Sequence, residues 1–328
     1  LLAKVAEQSR QKWARLSTAA ETKSKAIVSD PRVEPLTQSA WGQATIGSYI
    51  GGVSCYNYYT PPHENGNSYN YPIGCVAAGM AQLMRYHEHP GSYNWVLMPL
   101  NPTESITPIQ QQTIGRLCFE AAESIDTVYR ATGSTASLDD GYRELIDTFG
   151  YSSTTIAKSP AMGTAFNAMA NSNLDAGLPV LLGVRGALSS HAVICDGYGY
   201  DTVTLYHHLN MGWTGHDDAW YALPTIDASS SYNTIHTCVY NIYTSGSGEI
   251  VSGRACDIAG NGIPGVQITA TPSGQSPRYA TTDNRGVFGF ANMPSNKYVT
   301  LTASKAPHTF AGRSATTGSS SDYGSTGN

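Results

Sequence analysis

Charge is scarce in this chain. Only 13% of its 328 residues are Asp, Glu, Lys or Arg, and the balance is a net −5. Nucleic-acid binding needs a basic face to meet phosphates, so no nucleic-acid partner is expected. Long hydrophobic runs are missing too. No apolar stretch reaches the roughly 20 residues of a membrane-spanning helix, so no transmembrane segment is expected. Cysteine is sparse and scattered: Cys55, Cys75, Cys118, Cys195, Cys238 and Cys256 form no Cys-x-x-Cys pair. That argues against a zinc site and a dense disulfide framework. No signal peptide opens the chain, which begins at Leu1 rather than Met. A processed or trimmed form is expected.

Small and aromatic residues fill the space that charge leaves. There are 33 glycines and 21 tyrosines, and a hydrophobic content of 41% supports a real core. This make-up suits a secreted, β-rich protein.

The chain divides by pattern. Residues 1 to about 28 read as a helical arm with Leu2, Val5, Ala6, Trp13 and Leu16 on one stripe. Asp30-Pro31 stops it, and Pro35 keeps the following link extended and open to proteases. In the next unit, to about residue 246, helices come first: one from Cys75 to His89 at most, one over 113–129 and one over 138–151 with Gly150 as C-cap. After residue 178 the runs become short, β-branched and aromatic, as in an antiparallel sheet. Helices first and strands later indicate an α+β domain. From 247 to 310 the pattern alternates with period two between Gly/Asn/Asp turns, which predicts a small β-sandwich. Residues 311–328, rich in Ser, Thr and Gly, predict a flexible tail.

One cysteine stands apart. In "PIGCVAAGMAQLMRYHEHP" Cys75 sits at the mouth of a helix, where unpaired N–H groups and the helix dipole favour a thiolate and can hold an oxyanion. His191, in "SSHAVICDGYG", stands at the edge of a core strand, exposed on one face and held on the other, as a general base requires. Asn210 ends the next strand, where its amide oxygen can hold the imidazole N–H, and Trp213 can shield that bond from water. Gln43, in "SAWGQ", lies upstream and can direct its amide N–H at a substrate carbonyl. His207 and His208 point to opposite faces of a strand, and His87 and His89 make no credible metal site without further ligands. No metal or cofactor is expected.

With "AWGQ", "GCVAAGMAQLMRYHEHP", "HAVICDGYG" and "HLNMGWTGHDDAWY" in this order, the chain resembles the streptopain-like cysteine peptidases (peptidase family C10). The resemblance implies a papain-like fold of a helical half plus an antiparallel sheet half. It implies Cys75 as nucleophile, His191 as base, Gln43 as oxyanion donor, and Asn210 with Trp213 supporting His191. It also implies a secreted bacterial endopeptidase, acting as a monomer on protein or peptide substrates, with residues 1–33 as a possible remnant of an inhibitory pro-segment. One departure stands out: the family usually carries Trp where Met211 stands, at a position bordering the site. A binding module that has lost catalysis is the alternative that departure raises. The segment from 247 resembles the carboxypeptidase regulatory-like (prealbumin-like) sandwich.

Overall fold

The computed structural model describes residues 28–160, 162–187, 189–324 and 326–328. The arm helix expected over residues 1–28 falls, but for Val28, outside them. In chain order the first unit contains strand β1 (Asp30–Val33), a ribbon of β2 (Thr45–Ile46) and β3 (Val53–Ser54), and helices α1 (Cys75–His87), α2 (Pro108–Ser124) and α3 (Leu138–Asp147). Strand β4 (Ser153–Lys158) and helix α4 (Phe166–Asp175) follow. Then come β5 (Val180–Arg185), β6 (Ser190–Asp201), β7 (Thr204–Asn210), β8 (Ala219–Tyr221), a ribbon of β9 (Ile226–Asp227) and β10 (Ser231–Tyr232), and β11 (Thr234–Tyr243).

Local chemistry explains the helix bounds. Helix α2 opens at Pro108 with a capping box between Thr107 and Gln110, five residues before the start expected at 113. Ser137 caps α3 by accepting the Asp139 N–H (3.0 Å), and Asp139 and Asp140 face the positive end of its dipole. That helix stops at Asp147, and Gly150 turns the chain after it at φ +70°. Helix α4 and strand β4 were not expected, because neither has a clean period.

The sheet runs β4-β11-β5-β6-β7-β8, with β1 added alongside β6, and its pairings are antiparallel. Both faces are covered. Leu181 and Ile194 join the core under α1, α2 and α3, while Leu182, Val193 and Cys195 join a second core with Met169 and Leu174 of α4. Burial on both sides is why β5 and β6 read as nearly continuous apolar runs. Small residues set the spacing: a Cβ on Gly79 of α1 would stand 2.8 Å from Leu181 Cδ2. This is the mixed helical and antiparallel-sheet architecture expected.

Beyond it lie β12 (Glu249–Arg254), β13 (Gln267–Pro272), β14 (Arg278–Thr281), β15 (Val287–Met293), β16 (Tyr298–Ser304) and β17 (Arg313–Thr316). Strands β12 and β15 pair, as do β14-β13-β16-β17, around a core of Val251, Val266, Ile268, Phe290, Met293 and Val299. This all-β unit leans on the first. Val287 belongs to the second core, Gly289 lies so close to Ala176 that a Cβ would come within 2.7 Å, and Ser252 donates to Asp175 (2.6 Å).

Two segments differ from expectation. The described residues of 311–328 are no loose tail. Strand β17 pairs with β16, and Asn328 accepts from the Ile250 N–H (2.9 Å) while donating to Asn241 (2.9 Å). Polar side chains hold this segment, which its lack of apolar residues conceals. The link through Pro31 and Pro35 is not an open strap either. Strand β1 pairs with β6, the Leu36 N–H bonds the Asp196 carbonyl (2.9 Å), and the Thr37 N–H bonds the buried Asp196 carboxylate (3.1 Å).

Candidate active site

The chain enters α1 through Gly74, whose φ of +85° and ψ of 164° suit glycine alone. A Cβ there would also stand 2.9 Å from the Ser134 carbonyl. Cys75 is therefore the first helical residue and half-buried. Burial pushes its thiol pKa up, while the backbone N–H groups of Ala192, Cys75 and Val76 act on the sulfur in the opposite sense. Four of the other cysteines, Cys55, Cys118, Cys195 and Cys238, are buried; Cys256 is exposed, and all six are free thiols.

Strand β6 brings His191 to the same place. Cys75, Gln43, His191 and Trp213 all line one cavity of about 850 Å³, together with Tyr49, Ala192 and Tyr232. The His191 Nε2 lies 2.8 Å from the Met211 carbonyl oxygen. A carbonyl only accepts, so Nε2 carries the hydrogen and Nδ1 is the basic nitrogen. The Trp213 ring stacks on the imidazole at 4.7 Å and 26°, and Tyr232 stacks at 5.9 Å and 18°.

The sequence reading placed the Asn210 amide oxygen on that N–H. The structure gives the contact to Met211 instead. Asn210 pairs with Ile194, three residues past His191. The pairing ends at Asn210, and the chain turns through Gly212 (φ +64°) to bring the Trp213 ring onto His191. Asn210 works on the turn. Its Oδ1 accepts from the Gly212 N–H (3.0 Å) and from Gln82 Nε2 (3.1 Å), and its Nδ2 donates to the Ser39 carbonyl (2.7 Å) and to Gln82 Oε1 (3.2 Å). Asp218 accepts from the Met211 N–H (2.7 Å). The carbonyl that orients His191 is thereby held from both sides. The Met211 side chain is fully buried in the second core and is not part of the cavity wall. Its backbone carbonyl meets the histidine.

Gln43 is nearly buried, and its Nε2 leans on the Gly212 carbonyl at 3.4 Å. Its own carbonyl accepts from the Ile73 N–H (2.8 Å), which ties it to the strand of chain feeding α1. The residues missed in sequence are Gln82, Tyr49, Tyr232, Asp218 and the backbone of Met211 and Ala192. Gln82 stood in a visible place: in α1 it falls one residue short of the Leu83–Met84 stripe, a fully buried polar residue in an apolar helix. Among the described residues, no cluster of three or more His, Cys, Asp or Glu side chains is placed to hold a metal.

The peptidase C10 family model matches residues 51–92 and 91–221, a span that includes Cys75, His191, Asn210 and Trp213. The chain belongs to the peptidase C10 family. Streptopain of Streptococcus pyogenes is 25% identical over 189 residues, covering 48% of this chain and 47% of streptopain. The thiol protease/hemagglutinin PrtT of Porphyromonas gingivalis is 25% identical over 184 residues, covering 48% of this chain and 21% of PrtT. The chain thus spans under half the length of these curated relatives. The solved structure of interpain A, a cysteine protease of Prevotella intermedia, superposes with a TM-score of 0.55 at 20% identity, covering 66% of this chain and 98% of that one. A prointerpain A fragment gives 0.51 at 20% identity, covering 73% and 84%. The fold is therefore that of a cysteine protease of this family, and no helix among the described residues is long and apolar enough to cross a membrane.

Proposed function

We propose that this C10 chain is a cysteine endopeptidase acting through Cys75 and His191. The observation that carries the reading is the Met211 carbonyl on His191 Nε2, which leaves Nδ1 as the base on the cavity that also holds Cys75. His191 takes the Cys75 proton, and the thiolate attacks a peptide carbonyl carbon. The oxyanion accepts from the Cys75 backbone N–H and from Gln43 Nε2, which turns from Gly212. His191 gives its proton to the leaving amine as the C–N bond breaks. Water then attacks the thioester, its proton passes to His191, and the acid leaves. Exchanging the proton within a partly dry cavity offsets the cost that burial puts on the thiolate alone. Trp213 shields the His191 contact from water.

A cavity of about 850 Å³ favours several residues of an extended peptide, which supports internal cleavage. The low-charge, Gly- and Tyr-rich make-up supports action outside the cell. Cys75→Ser should abolish hydrolysis of an unfolded protein substrate while leaving the fold unchanged, because an alcohol supplies no anion near neutral pH. A Cys75→Ser chain with wild-type turnover would remove the nucleophile from this account.

A further inference from the structure

The floor of the cavity is a row across four strands. Ala192 on β6 pairs with Gly183 on β5, Gly183 with Thr237 on β11, and Thr237 with Lys158 on β4. All four line the cavity. Gly183 lets the side chains of His236 and Leu138 lie close over the sheet, since a Cβ there would meet His236 at 2.7 Å and Leu138 at 3.0 Å, and both also line the cavity. Three strand spacings of about 4.8 Å put Lys158 about 14 Å from Ala192, a span of about four extended peptide residues. Strand β4 is the sheet's outer strand, so this far end of the cavity borders an open edge.

Residues from the far end of the chain close it. The outward N–H of Ile156 bonds Asp322 Oδ1 (3.3 Å), and its carbonyl accepts from the Tyr323 N–H (2.5 Å). Asp322 Oδ2 also accepts from Tyr142 (3.0 Å). The Tyr323 ring lies 4.9 Å from the Lys158 ammonium, and its hydroxyl donates to Asp139 (3.3 Å), the same carboxylate that pairs with Lys158. Asp139 lines the cavity as well. Tyr323 takes φ +62°, a left-handed backbone that a bulky residue rarely accepts, and that conformation is held where its ring meets Lys158.

We infer that Asp322 and Tyr323 are positioning residues for the substrate. They hold the Lys158–Asp139 pair as the far wall of the cavity, and so set affinity for peptides long enough to reach it. The inference rests on the peptidase reading for its kinetics, and a binding measurement keeps it separable. On a Cys75→Ala chain, binding of a ten-residue peptide is measured against binding of a dipeptide amide. On the Cys75 chain, KM and kcat are measured for the same pair, with cleavage in the middle of the long peptide.

Tyr323→Ala should weaken binding of the long peptide and raise its KM by about two- to tenfold, the value of one modest polar contact, with kcat unchanged. The short substrate should not respond. Tyr323→Phe, which keeps the ring over Lys158, should restore most of the loss. Lys158→Ala should show the same split, and Tyr323→Ala should add nothing in that background. Equal losses for long and short peptides, no loss for either, Phe as poor as Ala, or additive effects of the two substitutions would each overturn the inference. A chain that binds with these differences but hydrolyses nothing would sink the peptidase reading and leave this one standing.

Discussion

At the residue scale the site depends on one carbonyl. The Met211 oxygen chooses the His191 tautomer, and Asn210 decides where that oxygen sits by holding Gly212, Gln82 and Ser39. Asn210→Ala strands the buried Gln82 amide and frees the turn. It should cost about 1–3 kcal/mol of stability, the penalty for unpaired buried polar groups, and should lower kcat with it. Because the loss acts on the base, the acidic limb of the pH–rate profile should move. An unfolding midpoint and profile matching wild type would refute the assignment. Cys75 and His191 were legible in sequence because each side chain stands out against its surroundings, a thiol between Gly74 and a run of small residues and an imidazole before an apolar strand. The Met211 contact was not, because a backbone oxygen leaves no mark on residue identity. Reading Asn210 as the partner came from side-chain chemistry without the register, which sets Asn210 opposite Ile194.

At the scale of elements, helix α4 joins the first unit to the sandwich. Its last residue, Asp175, accepts from Tyr198 (2.8 Å) and Ser252 (2.6 Å) in a largely buried seam. Burial pushes its carboxyl up to about 7 from an ordinary 3.8, against the pull of those two hydroxyls. Asp283 adds to the rise, and Arg32 opposes it. The folded chain holds this proton more tightly than the unfolded chain. Between the two values folding takes up a proton, so stability falls as pH rises from about 4 to about 7, and the penalty vanishes at lower pH. Asp175→Asn removes the titration. Its stability relative to wild type should therefore climb as pH rises through that window and level off above it. Thermal melts of both chains at half-unit steps would show it; a constant difference across the window would place the titration elsewhere. Element type was readable where the stripe was clean, as in α1 and α3. Helix α4, with three asparagines among its ten residues, carries no such stripe, and its place is set by the sheet and sandwich it packs between.

At the scale of the whole molecule, the sandwich has its own core but shares a wall with the first unit. Removing residues 247–328 takes away Val287, whose burial is worth about 1.5–3 kcal/mol, and the Gly289 contact with Ala176. It also strips Asp322 and Tyr323 from β4, leaving Ile156 unpaired on an open sheet edge. The shortened chain should fold, since both cores of the first unit lie almost wholly within it. It should melt earlier and self-associate through β4 as concentration rises. Light scattering beside calorimetry tests this, and a monomer with the full-length midpoint would show that the two units are energetically separate. Composition revealed the sandwich through its turns and period-two strands. It concealed the last segment, because Ser, Thr, Gly and Asn, which read as slack, are here the donors and acceptors that fasten it.

The wall that Tyr323 completes also has a place in time. A ribosome delivers the chain from its N-terminus, and domains form in that order. Cys75, His191 and all strands of the main sheet emerge well before Asp322. For that interval the newborn protein carries the two proposed catalytic side chains beside a groove whose far end is still open. Its hold on long chains matures last.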